Sequence, residues 1–228
     1  MTSVLIVVSA ADRLTLNDGT THPTGYWAEE LAEPHRIFAS AGWDITVATP
    51  GGVAPTADRL SLGLAGGLPA KTRAVADYLR RHDSVLAHPK VLADTDPDDY
   101  DVVFYPGGHG PMEDLAVDAD SGRILTAVLE SGRPLALLCH APAATLAARR
   151  ADGTWPFEGY RMTGLSNTEG GDSTGLPAKP PGCCRTAWWN PAQSTATAGY
   201  RCGPTWWWTA ICIPDKIRRP RRCLRTNW

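Results

Sequence analysis

The constraint that most limits how this chain can fold is its alternation of short apolar runs with stretches of helical spacing. Val4–Ser9, Asp44–Thr49, Tyr100–Tyr105 and the run 134–138 are brief and rich in β-branched, leucine or aromatic residues, with little polar alternation. Such runs read as strands buried on both faces. Between them, Thr24–Ala41 carries Trp27, Leu31, Ile37 and Phe38 at roughly helical spacing and ends at Gly42. Lys71–His82 and Asp118–Ser131 are also helical in pattern, as is 141–150, while the Gly-, Ala- and Pro-rich stretch 53–70 reads as loop. Gly159–Thr163 is expected to form one more short strand. Strands alternating with helices predict an α/β fold with a mainly parallel sheet covered on both faces. Ligands in such sheets bind outside the carboxyl ends of the strands.

The length of 228 residues suits one domain with a sizeable core, and a formal net charge of −2 gives no reason to expect a nucleic-acid partner. No apolar stretch approaches the ~20 residues that would span a membrane. The Val4–Val8 run is too short, and has no charged segment before it, for a signal peptide. Cys139 is the one cysteine before residue 183, which suits a reducing cytosol and a cytoplasmic location.

The most informative segment is Leu135-Ala-Leu-Leu-Cys139-His140-Ala-Pro-Ala-Ala-Thr145. An apolar strand stops at Cys-His and a helical stretch follows, the order of a nucleophile elbow. Free amides and the helix dipole at such a turn favour thiolate over thiol, so a lowered Cys139 pKa is expected. The competing reading is a cysteine simply buried in the core. After the third strand comes Gly107-Gly108-His109-Gly110, whose backbone is open to close approach. Beside the elbow, the Gly108 and His140 amides would form an oxyanion hole, with Gly108 and His109 as oxyanion and substrate-binding residues; alone, the segment is also an ordinary glycine turn. Glu30 lies early in a helix beside Glu29 and Glu33. Three acids there also match a helix dipole with no catalytic role.

Taken together, Thr24-Gly25…Glu30-x-x-x-Pro34, Ala41-Gly42-Trp-Asp-Ile-Thr-Val-Ala-Thr-Pro50-Gly-Gly, Asp99-Tyr-Asp-Val-Val-Phe-Tyr-Pro-Gly-Gly-His109-Gly, Cys139-His140-Ala-Pro-Ala and Thr163-Gly-Leu-Ser-Asn resemble the DJ-1/PfpI superfamily. They are most similar to its Hsp31-like branch, which includes glutathione-independent glyoxalases, within the broader class I glutamine amidotransferase-like group. The resemblance covers residues 1–179. It implies a flavodoxin-like three-layer sandwich, Cys139 as nucleophile, Glu30 as the acid contacting the thiol, His140 as base, no cofactor, no metal and a homodimer. The branch also places an acid after the Thr163-Gly stretch to orient His140. Here that position falls on Gly170, with Glu169 beside it.

Residues 180–228 depart from that pattern. Five of the six cysteines (Cys183, Cys184, Cys202, Cys212 and Cys223) and six of the nine tryptophans lie after residue 182, with eight basic residues against the single acid Asp215. Because tryptophan has one codon, Trp206–Trp208 fixes TGGTGGTGG, and read one base earlier these bases give Val-Val. Continued through Ile217, that frame permits Asp-Gly-Asn-Leu-Tyr-Thr-Gly-Gln-Asn, the family's usual ending. Pro180-Pro-Gly-Cys-Cys184 read in the same frame permits Ala-Pro-Trp-Leu-Leu. The expectation is one missing base near Lys179-Pro180 and an out-of-frame, irregular tail. A zinc or nucleic-acid module is the rival, but the cysteines lack Cys-x-x-Cys spacing.

The activity the resemblance implies is a cysteine-dependent, glyoxalase III-like lyase or hydratase that converts 2-oxoaldehydes such as methylglyoxal to 2-hydroxy acids. A stress-response holdase chaperone or redox sensor is the alternative, and amidase or peptidase chemistry a further one.

Overall fold

The computed structural model describes residues 1–16, 18–160 and 162. In chain order its elements are β1 (Ser3–Val7), β2 (Arg13–Thr15), β3 (Thr21–Pro23), α1 (Ala28–Ser40), β4 (Asp44–Thr49), α2 (Pro69–Arg81), α3 (Asp83–Ala87), β5 (Lys90–Val91), β6 (Val102–Tyr105), α4 (Gly110–Glu113), α5 (Ala119–Ser131) and β7 (Leu135–Leu137). A 3₁₀ segment, Ala141–Ala147, follows β7.

Val4, Leu5, Ile6 and Val7 are all fully buried, and alternation along β1 sends them to opposite faces, so both faces need cover. Leu5 and Val7 pack with Val103, Tyr105, Leu135 and Leu137 against Ile124, Leu125 and Val128 of α5. Val4 and Ile6 pack with Val47 and Phe104 against Leu31 and Phe38 of α1. These two cores make the expected flavodoxin-like α/β sandwich. Five parallel strands stand in the order β5-β4-β1-β6-β7. After β1 the chain goes first to β4 on one side and later to β6 on the other. The carboxyl ends of β1 and β6 therefore flank a topological switch point.

β4 matches the expected strand, and α5 begins as its sequence indicates, with Asp118 accepting a hydrogen bond from the Ser121 amide at 2.7 Å. The expected helix 141–150 is instead the short 3₁₀ segment. An α-helix would bond the Thr145 carbonyl to the amide four residues on. That carbonyl is taken by the Trp155 indole N–H at 2.8 Å and the Ala148 amide at 3.1 Å, which ends the helix early. Gly159 is a turn residue at φ 81° rather than the start of a strand. Within 53–70, two 3₁₀ turns, Arg59–Leu62 and Leu64–Gly66, occupy what the sequence suggested was plain loop, and α2 starts at Pro69. The β2–β3 hairpin was not expected. Its strands have three residues each, and a side chain from a distant element holds it: Glu113 accepts from the Thr15 amide at 2.8 Å and hydroxyl at 2.9 Å. The tail 180–228 lies outside the described residues. Among the described residues no helix is long and apolar enough to cross a membrane.

The 141–147 segment carries the chain away from Cys139 and rests on α5 at Gly122. A Cβ at Gly122 would lie 2.3 Å from the Ala147 carbonyl oxygen. Gly122→Ala gains roughly 0.5–1 kcal/mol of helix propensity, whereas forcing α5 off a backbone contact costs roughly 1–3 kcal/mol. Urea denaturation is expected to show a net loss of about 1 kcal/mol or more; a variant as stable as wild type would contradict this packing.

Candidate active site

Leu138 extends the β7 ladder through its amide, which donates to the Tyr105 carbonyl at 3.0 Å, and the chain then reverses at Cys139. Cys139 has φ 54° and is the only non-glycine among the described residues with positive φ. That conformation costs a non-glycine residue about 1–3 kcal/mol. The Ala141 amide closes the turn on the Leu138 carbonyl at 2.7 Å. Strand, strained residue and short helix together form the expected elbow, with Cys139 Sγ lying 3.1 Å from His140 Nδ1.

Gly107 at the end of β6 is the other wall. Its amide donates to Glu30 Oε2 at 2.8 Å. A Cβ there would lie 2.6 Å from Cys139 Cβ, 2.7 Å from Glu30 Oε2 and 2.7 Å from the Leu138 carbonyl oxygen. Gly108 has φ 99°, and a Cβ on it would meet the Gly25 carbonyl oxygen at 2.4 Å. Both glycines are therefore required by close approach, not by a generic turn.

Glu30 reaches the site because residues 24–27 are threaded between two segments. The Trp27 amide donates to the Gly107 carbonyl at 3.0 Å, and the Tyr26 amide to the Thr56 carbonyl at 2.9 Å. The three acids at the start of α1 then separate by partner. Glu29 pairs with Lys71 at 2.6 Å and Glu33 with Arg36 at 2.6 Å, both bases being exposed. Of the three, Glu30 lies beside the thiol: a Cβ on Gly107 would meet both Cys139 Cβ and Glu30 Oε2. Pro34, four residues on, removes the amide that would otherwise bond the Glu30 carbonyl.

Burial governs the electrostatics. It raises the Glu30 carboxyl well above its ordinary value, with the adjacent sulfur as second cause and the Gly107 amide pulling the other way. The Cys139 thiol is also raised by burial, against the opposing pull of the Gly108 amide, the Glu30 carboxyl and the His140 amide. The expected lowering of the cysteine pKa is thus corrected: the elbow amides do aim at sulfur, but desolvation outweighs them among the described residues. His140, 5% exposed, is pushed down to about 4 by burial. Burial thus works against the charged form of the carboxyl, the thiol and the imidazole alike.

His109, expected to touch substrate, turns inward. It is 5% exposed, its ring centroid lies 4.8 Å from that of His140, and its Nδ1 lies 3.6 Å from Asp58 Oδ2. Asp58 falls in the stretch 53–70 that the sequence reads as loop, with nothing there to mark it; its carboxylate accepts from the Leu60 amide at 2.9 Å, capping a short turn. Glu169 and Gly170 lie outside the described residues. Among the described residues no group of three or more His, Cys, Asp and Glu side chains is arranged to hold a metal ion.

Residues 23–167 match the model of the DJ-1/PfpI family. The chain belongs to that family. Its motifs place it in the Hsp31-like branch, consistent with 31% identity over 164 residues to protein/nucleic acid deglycase HchA of Escherichia coli O1:K1 / APEC. That alignment takes in 69% of this chain and 55% of the relative, so the chain spans about half the length of the curated relatives it matches. Glyoxalase III of Candida albicans has a similar structure, with TM-score 0.63 and 26% identity over 77% of this chain and 72% of that one. The Rapid Encystment Protein of Francisella tularensis shares the fold, with TM-score 0.69 and 22% identity over 91% of this chain and 86% of that one.

The raised Glu30 pKa has a stability consequence of definite sign. The folded protein keeps this proton where the unfolded chain has lost it. Its contribution is therefore full below the ordinary value of 4.5 and is lost as pH rises through the folded value. In Glu30→Gln that loss is absent, so Tm of the variant minus Tm of wild type should grow from about pH 5 to about pH 8. A difference that stays flat across this range would show that Glu30 is not held protonated.

Proposed function

We propose that this protein is a glutathione-independent glyoxalase that converts methylglyoxal or a similar small 2-oxoaldehyde to the 2-hydroxy acid. The observation that carries the reading is a thiol on a strained elbow, 3.1 Å from an imidazole nitrogen and beside a carboxyl whose proton affinity burial raises. A neutral acid and a neutral base on either side of one sulfur suit a reaction that only relocates protons.

In this reading His140 Nδ1 takes the Cys139 proton as sulfur adds to the aldehyde carbon. The Gly108 and His140 amides, which face the sulfur, receive the developing oxyanion and the hemithioacetal forms. A base then removes the hydrogen from the former aldehyde carbon, and the neighbouring keto carbon is protonated through an enediolate. Glu30 and His140 are the two groups placed to exchange those protons. The product is a thioester of the 2-hydroxy acid, and water releases the acid and restores the thiol. Carbon is oxidised at one centre and reduced at the next, so no external redox partner is required. A second reading, taken from the name of the Escherichia coli relative, is deglycation of protein or nucleic acid. The half-buried thiol favours the small free aldehyde.

Cys139→Ser should reduce methylglyoxal turnover without glutathione by about 10³-fold or more while leaving Tm nearly unchanged, since only one atom changes. Activity within about tenfold of wild type would remove Cys139 as nucleophile.

A further inference from the structure

The mechanism above does not use Asp58 or His109, although both are buried and the His109 ring lies against the catalytic imidazole. Asp58 is 1% exposed and every contact orders it. Its Oδ1 accepts from the Leu60 amide at 2.9 Å and its Oδ2 from the Thr24 hydroxyl at 2.8 Å, while its own amide donates to the Tyr26 carbonyl at 2.8 Å. Those donors and His109 hold the carboxyl below its ordinary range despite burial, which works against them. Asp58 is therefore an acceptor only. The Thr24 hydroxyl has given its hydrogen to Asp58, so its oxygen, 3.5 Å from His109 Nδ1, also faces that nitrogen as an acceptor. Two acceptors facing one nitrogen, at 3.5 and 3.6 Å, favour the tautomer with hydrogen on Nδ1, which leaves Nε2 bare.

The neighbouring ring is arranged in the complementary way. His140 Nδ1 faces the thiol and must be bare to take its proton, so the hydrogen is on Nε2. That Nε2 is buried and has no hydrogen-bond partner among the described residues. A bare nitrogen and an orphaned N–H are thus carried on two buried rings whose centroids are 4.8 Å apart and whose planes are tilted by 46°.

We propose that His109, oriented by Asp58 and Thr24, is the positioning residue that fixes the tautomer and ring orientation of His140, accepting from its Nε2–H as the imidazole takes the Cys139 proton. The titratable groups around His140 are then Cys139 and Glu30 on its reacting side and His109 backed by Asp58 behind it. In this arrangement the His140 Nε2–H, unpartnered at rest, turns to His109 Nε2 when Nδ1 takes the thiol proton, while His109 Nδ1 faces Asp58 at 3.6 Å. Asp58 performs at one remove the duty of the acid in a nucleophile–histidine–acid triad. The proposal rests on Cys139 and His140 being the reacting pair.

The test is histidine-selective ¹⁵N NMR of the full-length protein, which reports the tautomer of each ring without any substrate, alongside methylglyoxal kinetics. Wild type should show His109 as the Nδ1–H and His140 as the Nε2–H tautomer. Asp58→Asn turns an amide N–H toward His109 Nδ1 and should drive His109 to the Nε2–H form, setting two N–H groups against each other. His140 should then lose its single tautomer, and kcat should fall about hundredfold or more with KM changing less, as for a misassigned triad tautomer. His109→Leu removes the acceptor and should also release the His140 tautomer; it decides the matter alone if Asp58→Asn does not fold. A His140 tautomer unchanged in the folded variants overturns the proposal and leaves Asp58 a loop cap. Should the tautomers shift as described while wild type turns over no 2-oxoaldehyde, this inference stands and the glyoxalase reading fails.

Discussion

Three parts of the chain, distant in sequence, converge on Gly107, and the site exists because that residue has no side chain. Its amide holds Glu30 at 2.8 Å, and the space a Cβ would take is filled by Cys139 and the Leu138 carbonyl. The carboxyl end of β6, the start of α1 and the elbow after β7 are thus locked in one place, beside the switch point between β1 and β6. Everything chemical follows from that crowding. It desolvates the carboxyl, the thiol and the imidazole together, which works against the charged form of each. The arrangement carries a stability cost in burial and in the strained φ of Cys139.

Much of this was legible in the sequence, for physical reasons. Strands buried on both faces leave unbroken apolar runs, so β1, β4, β6 and β7 stand out. The elbow is local, since strand, Cys-His and the following turn are contiguous. Glu30 was legible only through its family resemblance, because charge alone does not distinguish it from Glu29 and Glu33. Their surface partners Lys71 and Arg36 make that distinction.

What the sequence hid depends on contacts between distant residues. The 3₁₀ form of 141–147 follows from a tryptophan ten residues downstream, and the β2–β3 hairpin from Glu113. The inward turn of His109 brings it to Asp58, which the sequence leaves unmarked inside a stretch read as loop. The thiol pKa failed for a related reason. Helix and elbow amides are visible as a motif, whereas the depth of burial that opposes them is a property of the whole packing. The family match ends at residue 167, ahead of the compositional break after residue 182.

The central claim is that Cys139 and its neighbours relocate protons on a 2-oxoaldehyde without an added thiol. The most direct measurement is ¹H and ¹³C NMR of methylglyoxal incubated with the protein in D₂O, with no glutathione present. The account predicts lactate as product, with deuterium at the carbon beside the carboxylate, since that hydrogen arrives from an exchanging side chain. Lactate that keeps the original aldehyde hydrogen there would indicate an internal hydride shift and contradict the enediolate path. Conversion that persists after Cys139 is fully alkylated would contradict the claim at its root.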